Sequence, residues 1–216
     1  RNYTGSCLYG STLTVSIDNC EFDGVNTVVS GGRYIFFSDC LIDGGNYVTS
    51  GTTSVFVENT TVQNQVNIAF NGPEMFTANG LHFINIRYGV YSCPSIQIRN
   101  STANGNGEYV IGYCDNATIE NFQADGLKTI ISSSNNVTIA NSNCSNFQTF
   151  FIGGGRNFEV ENCRLSALDR DNNAGNFVFS GAENIYCRRS LIYGNGNNGT
   201  EVLYDSSAIY ENCTLT

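Results

Sequence analysis

Short segments of one pattern recur along the chain: SIDNCEFDG, FFSDCLIDG, FVENTTVQN, IQIRNSTANG, TIENFQADG, TIANSNCSN, FEVENCRLS and IYENCTL. A fixed period of this kind constrains the fold more than any composition, because repeats that stack bury apolar surface only against their neighbours. Aligned on the polar residue that follows the first apolar stretch, the anchors are Asn19, Asp39, Asn59, Asn79, Asn100, Asn121, Asn141, Asn162, Arg189 and Asn212. The first seven steps are 20 or 21 residues and the last two are 27 and 23, which places insertions near 167–175 and 194–200.

Around each anchor the pattern has period two. Positions two and four before it are apolar, as in Val15 and Ile17, Ile35 and Phe37, Val55 and Val57, Ile96 and Ile98, Val137 and Ile139, and Phe158 and Val160. That is a strand with one buried face. A small or apolar residue follows the anchor, another apolar residue lies two further on, and a turn residue recurs five after it (Gly24, Gly44, Asn64, Gly105, Gly126, Asn146, Gly194). Gly and Asn are the residues that tolerate positive φ. A third apolar run and a Gly/Ser corner close the unit. Three short strands and three turns in 20 residues, without a helical period, make one rung of a parallel β-helix. Ten anchors predict about ten rungs in one domain spanning 1–216, a rod roughly 45–50 Å long at about 4.8 Å per rung. The anchors then form a ladder of stacked side-chain amides, expected at a buried corner where backbone polar groups need partners. A second polar row, Asn116, Asn136, Asn157 and Asn184, lies five residues earlier in the later rungs.

The rung length, the Asn ladder and the strand–corner rhythm resemble the right-handed parallel β-helix superfamily of pectate lyases, polygalacturonases and phage tailspikes, over about residues 12–216. The resemblance implies an all-β, single-stranded, right-handed solenoid. It implies no particular activity, since one fold hosts many functions. The polygalacturonase-type NTD, DD, GHG and RIK motifs are absent, and the third-strand segments 27–30, 47–50, 66–70, 89–91, 109–113, 129–132 and 150–153 carry no charge. The expectation is therefore a non-catalytic protein, although hydrolysis by this fold would need clustered carboxylates that can be sought.

Charge and modification signals narrow the class. Nineteen acidic against ten basic side chains give a net charge of -9, which argues against nucleic acid, whose phosphates require clustered Lys and Arg. No apolar run is long enough to cross a bilayer as a helix. Sequons begin at Asn2, Asn59, Asn100, Asn116, Asn136, Asn143, Asn198 and Asn212, which favours an extracellular glycoprotein with covalent N-glycans as its only added groups. Asn143 and Asn198 are the best acceptors, Asn116 and Asn136 are intermediate, and Asn2 is a terminal candidate. Asn59, Asn100 and Asn212 are sequons on the ladder itself and, if buried there, should carry no glycan.

The remaining candidates are weak ones. Asp23 and Asp43 should stack on adjacent rungs, where two carboxylates could serve a glycosidase or hold calcium, yet each also reads as an Asp-Gly turn. Asp125-Gly126 repeats that turn without a partner. Asp169 and Asp171, in the most polar insertion, could bind calcium or a sugar. The glycine run 194–199 matches GxGxxG but precedes a strand, so it reads as a loop. His82, three after an anchor, is expected to point inward. No CxxC occurs among the nine cysteines, which argues against zinc. They read mainly as inward free thiols, with Cys20/Cys40 and Cys93/Cys114 as stacked pairs that could oxidise. Apolar residues of the third strands (Val110, Ile131, Phe151) alternate poorly, which suggests an outward lateral contact. Together these features point to a building block of an extracellular filament, surface appendage or matrix, self-associating through its strand edges. Carbohydrate binding or cleavage, or an attachment module, is the alternative.

Overall fold

The computed structural model describes residues 3–12, 14–167, 177–193, 203–204 and 206–215. They form a right-handed parallel β-solenoid of about nine turns, with all strand pairings parallel. Ten anchors bound nine intervals, which accounts for nine turns where a count of anchors gives ten.

Each turn has the same parts. A five-residue strand such as Tyr34–Ser38 or Ser54–Glu58 is followed by one residue with positive φ, then by a three-residue strand such as Leu41–Asp43 or Thr61–Gln63. A second positive-φ corner leads into a four-residue strand such as Tyr47–Ser50 or Tyr88–Tyr91. The three-residue strands stack into one sheet, and the other two sets share a larger one. In the later turns the third strand runs without a break into the next first strand, as in Thr129–Ala140, Phe150–Glu161 and Phe177–Arg188. There positive-φ residues within the strand make the corner: Ser133 and Asn136; Gly154, Gly155 and Asn157; and Gly181 and Asn184.

The left-handed conformation explains why the anchor is usually Asn. Asn19, Asp39, Asn59, Asn100, Asn121, Asn141, Asn162, Arg189 and Asn212 all have φ between 45° and 53°. Asn is the side chain that tolerates this region best after Gly. One anchor is displaced. In the fourth rung the positive-φ residue is Gly80, at φ 72°, whereas Asn79 ends its strand in register with Glu58 and Arg99. A one-residue slip exchanges the faces of everything that follows. This is why His82 points outward, level with Thr61 and Thr102, while Leu81 and Phe83 point into the core.

The core is a set of apolar stacks running along the axis: Ile35–Val55–Phe76–Ile96 and Phe37–Val57–Ala78–Ile98 in the first strands, and Ile42–Val62–Phe83–Ala103 in the second. The third strands depart from alternation. Val28 and Val29, Val110 and Ile111, Ile130 and Ile131, and Phe151 and Ile152 are all essentially inaccessible. Consecutive residues of an ideal strand face opposite ways, but the ladder here skips the middle residue, pairing Ile68 with Tyr88 and Phe70 with Val90. Both neighbours of each pair are therefore covered by the core, and the lateral contact expected from Val110, Ile131 and Phe151 does not exist.

Backbone groups at the inner corner are satisfied by hydroxyls and thiols. The residue after each positive-φ anchor points inward. Ser101 Oγ donates to the Arg99 carbonyl (2.6 Å) and accepts from the Leu81 amide of the preceding rung (3.0 Å). Thr60, Ser142 and Ser190 repeat the arrangement, and the thiols of Cys40 and Cys163 make the matching bond to the carbonyl two residues back.

Candidate functional site

The Asn ladders lie on the outside of the rod. Asn121 Nδ2 donates to Asn100 Oδ1 (3.1 Å), Asn100 Nδ2 to Asn79 Oδ1 (2.7 Å), and Asn162 Nδ2 to Asn141 Oδ1 (2.7 Å). The second row forms a longer chain of its own. Asn136 donates to Asn116 (3.3 Å), Asn157 to Asn136 (2.9 Å) and Asn184 to Asn157 (3.1 Å), each with positive φ. Asn59, Asn100 and Asn212 are exposed, not buried as expected, because the anchor's side chain leaves the corner outward and its successor fills the interior. Asn143 is exposed on the three-residue-strand sheet, and Asn116 and Asn136 are exposed with their Nδ2 atoms engaged. Asn2 and Asn198 lie outside the described residues.

The turn carboxylates are held by side chains of the next rung. Asp23 and Asp43 are in register. Asp43 accepts from Asn64 Nδ2 and Gln63 Nε2, each at 2.8 Å, and these two bonds, the Asn64 one first, hold its carboxyl below the usual value near 3.8. Asp125 has no stacked carboxylate, its register neighbours being Asn104 and Ser145, and it accepts from Ser145 Oγ (2.8 Å) and Asn146 Nδ2 (2.6 Å). An Asp at the turn thus braces an Asn one rung on. Asp169, Asp171 and the glycine run 194–199 lie outside the described residues. His82 is exposed, its Nδ1 3.0 Å from Thr102 Oγ1. Among the described residues no three His, Cys, Asp or Glu side chains converge as metal ligands would.

The surface feature that sequence reasoning passed over is aromatic. On the outer side of the third strands, Tyr88 and Tyr109 have ring centres 4.6 Å apart, and Tyr91 and Tyr113 are 5.2 Å apart. The Arg87 guanidinium sits 4.9 Å from the Tyr88 ring centre. The Tyr109 ring packs against Gly112, where any Cβ would overlap it. Burial, and then the neighbouring Tyr91, Tyr88 and Tyr113, push the Tyr109 hydroxyl up. Tyr113 keeps 55% of its surface exposed and occupies a positive-φ corner, an uncommon place for an aromatic residue. The signal was present as paired tyrosines at one rung's spacing. Such rings offer apolar faces edged by hydroxyls.

All nine cysteines are free thiols. Burial pushes Cys93 up to about 12 and Cys114 and Cys163 to about 11. Comparison with known protein families, with curated proteins and with solved structures gave no match to this chain.

Proposed function

We propose that the protein is a non-catalytic, extracellular structural rod that assembles end to end through its strand edges. The observation that supports this reading is the incomplete burial of the outermost described rungs, which a further rung from a second copy, or from more of the same polypeptide, would complete. Interior stacks are inaccessible through the middle of the rod, but Val15 and Phe22 are only partly covered in the first rung. At the other end Ala208, Tyr210 and Cys213 are partly covered and Leu215 is 47% exposed. The equivalent residues one rung inward, Ile185, Cys187, Ser190 and Ile192, are at most 3% exposed. The strands Glu21–Asp23 and Thr214–Leu215 form the two edges of the ten-stranded sheet and present unpaired backbone to whatever stacks on them. A second copy supplies a matching rung at either edge, and such a head-to-tail contact extends without closing.

Sedimentation of the chain over a wide concentration range tests this. Growing species whose formation is blocked by Leu215→Lys are expected. A monomer unchanged at high concentration overturns the proposal, as does a native polypeptide that supplies the next rungs itself.

The tyrosine face favours a second reading, contact with carbohydrate, in which pyranose C–H faces rest on the rings of Tyr88, Tyr109 and Tyr113. Glycan-array binding lost in a Tyr88→Ala/Tyr113→Ala variant supports it. Absence of any binding removes it and leaves the rod assembly untouched.

A further inference from the structure

Cys187 and Cys213 stand on adjacent rungs, 26 positions apart, with their sulfurs 3.7 Å from one another. Cys187 occupies the inward row of the strand Phe177–Arg188, and Cys213 is the inward residue after the positive-φ anchor Asn212. The two approach because an inner-corner residue leans under the first strand of the rung before it. Cys213 Sγ also points at the Cys187 carbonyl (3.3 Å) and the Glu211 carbonyl (3.5 Å). The stacked pair Cys93/Cys114 behaves differently: the Cys114 sulfur accepts from the Cys93 amide (3.4 Å), as Ser134 Oγ accepts from the Cys114 amide. Cys93 and Cys114 serve the corner, whereas Cys187 and Cys213 face each other.

We propose that Cys187 and Cys213 form a disulfide that staples the last described rung to the one before it, made by exchange with a small-molecule disulfide such as oxidised glutathione. A sulfur–sulfur bond is about 2.05 Å, so closure brings together two sulfurs that already stand in contact at 3.7 Å. Access sets the order of events. Cys187 is wholly inaccessible and Cys213 is half-buried, so the Cys213 thiolate attacks the oxidant first. It forms a mixed disulfide and releases one thiolate. Cys187 then loses its proton, attacks the Cys213 sulfur and displaces the second thiol. Two protein thiols are oxidised by two electrons and one oxidant disulfide is reduced to two thiols. Burial pushes the Cys187 thiol up, which makes the second step the slow one. The cross-link spans the insertion near 194–200 and fixes the edge rung on which assembly depends. Closing a loop of about 26 residues lowers the opening of that rung roughly 100-fold or more in the chain-entropy account.

The test uses the full chain, folded, with excess oxidised glutathione at pH 8, quenched by alkylation and mapped as non-reduced peptides. The expected result is a transient glutathione adduct on Cys213 giving way to a Cys187–Cys213 peptide as the principal cross-link. Cys213→Ser should abolish both, and Cys187→Ala should trap the adduct. Slower amide exchange in 208–215 should accompany cross-linking. A persistent adduct with Cys187 still reduced, a different principal pair, or no reaction at either thiol each overturns the proposal.

Discussion

Ser101→Ala is the substitution that most cleanly separates the interior of the rungs from their decorated surface. Ser101 is 1% exposed, and its hydroxyl holds both the Leu81 amide and the Arg99 carbonyl. Removing it creates almost no cavity, since the side chain loses one atom. It does leave a buried N–H with no acceptor, which costs about 1–3 kcal/mol. On the exterior, Asn121 makes one ladder bond of 3.1 Å and has φ 52°. Asn121→Gly breaks that bond in a solvated place and keeps the left-handed conformation, so its cost is about 1 kcal/mol or less. Urea unfolding of the two variants, compared at matched slopes, should therefore rank Ser101→Ala as the more destabilised. Solenoids can unfold in pieces, so amide exchange at Leu81 is the local control. It should accelerate roughly 5- to 150-fold in Ser101→Ala, the factor corresponding to about 1–3 kcal/mol, while Asn121→Gly leaves it nearly unchanged. Ser101→Cys should recover part of the loss, because Cys40 and Cys163 fill the same position in other rungs and make the same carbonyl bond. A larger loss in Asn121→Gly than in Ser101→Ala would show that the outer amides, and not the inner hydroxyls, hold the corners.

Three further outcomes follow from the same geometry. Gly155 has φ 98° and a Cβ there would overlap the Ser134 carbonyl oxygen, so Gly155→Ala should cost about 3 kcal/mol or more in thermal or urea unfolding. The Asp43 carboxyl is depressed by Asn64 and then Gln63. Its contribution to stability should be fully present above about pH 3.8 and lost as pH falls through the lower folded value, and Asn64→Gly should move its NMR-detected titration back toward 3.8. At pH 8 a maleimide or iodoacetamide should label exposed Cys20 well before Cys93, Cys114 and Cys163, which are buried and pushed up to about 12, 11 and 11. Mass spectrometry of timed aliquots reads that order, and rapid labelling of Cys93 would contradict it.

The solenoid was legible because its signal is repeated. Val15/Ile17, Ile35/Phe37 and Val55/Val57 state the same alternation at one spacing, so a single weak unit could not hide the pattern. What escaped was local. Asn79 resembles an anchor, and nothing in its immediate neighbours shows that Gly80 takes the left-handed turn, an offset of one residue that sets His82 outward. Stacked Asn side chains can satisfy buried groups, so the sequence alone points to an inward amide ladder. Positive φ directs that side chain outward and leaves the interior to Ser101, Thr60 and Ser142. The poor alternation of Val110, Ile131 and Phe151 was real, but it reflects strands covered at two successive residues and not a second apolar face. The tyrosine face was unreadable for a different reason: its four rings meet only once rungs stack and Gly112 makes room for Tyr109.

Electron microscopy of the protein from its native source, without refolding, tests the proposed assembly most directly. Rungs stack at about 4.8 Å, so the account predicts thin filaments that carry that axial spacing with continuous strand density across each junction between copies. Isolated short rods that stay dispersed at high concentration, or filaments joined side to side with the end rungs free, would contradict it.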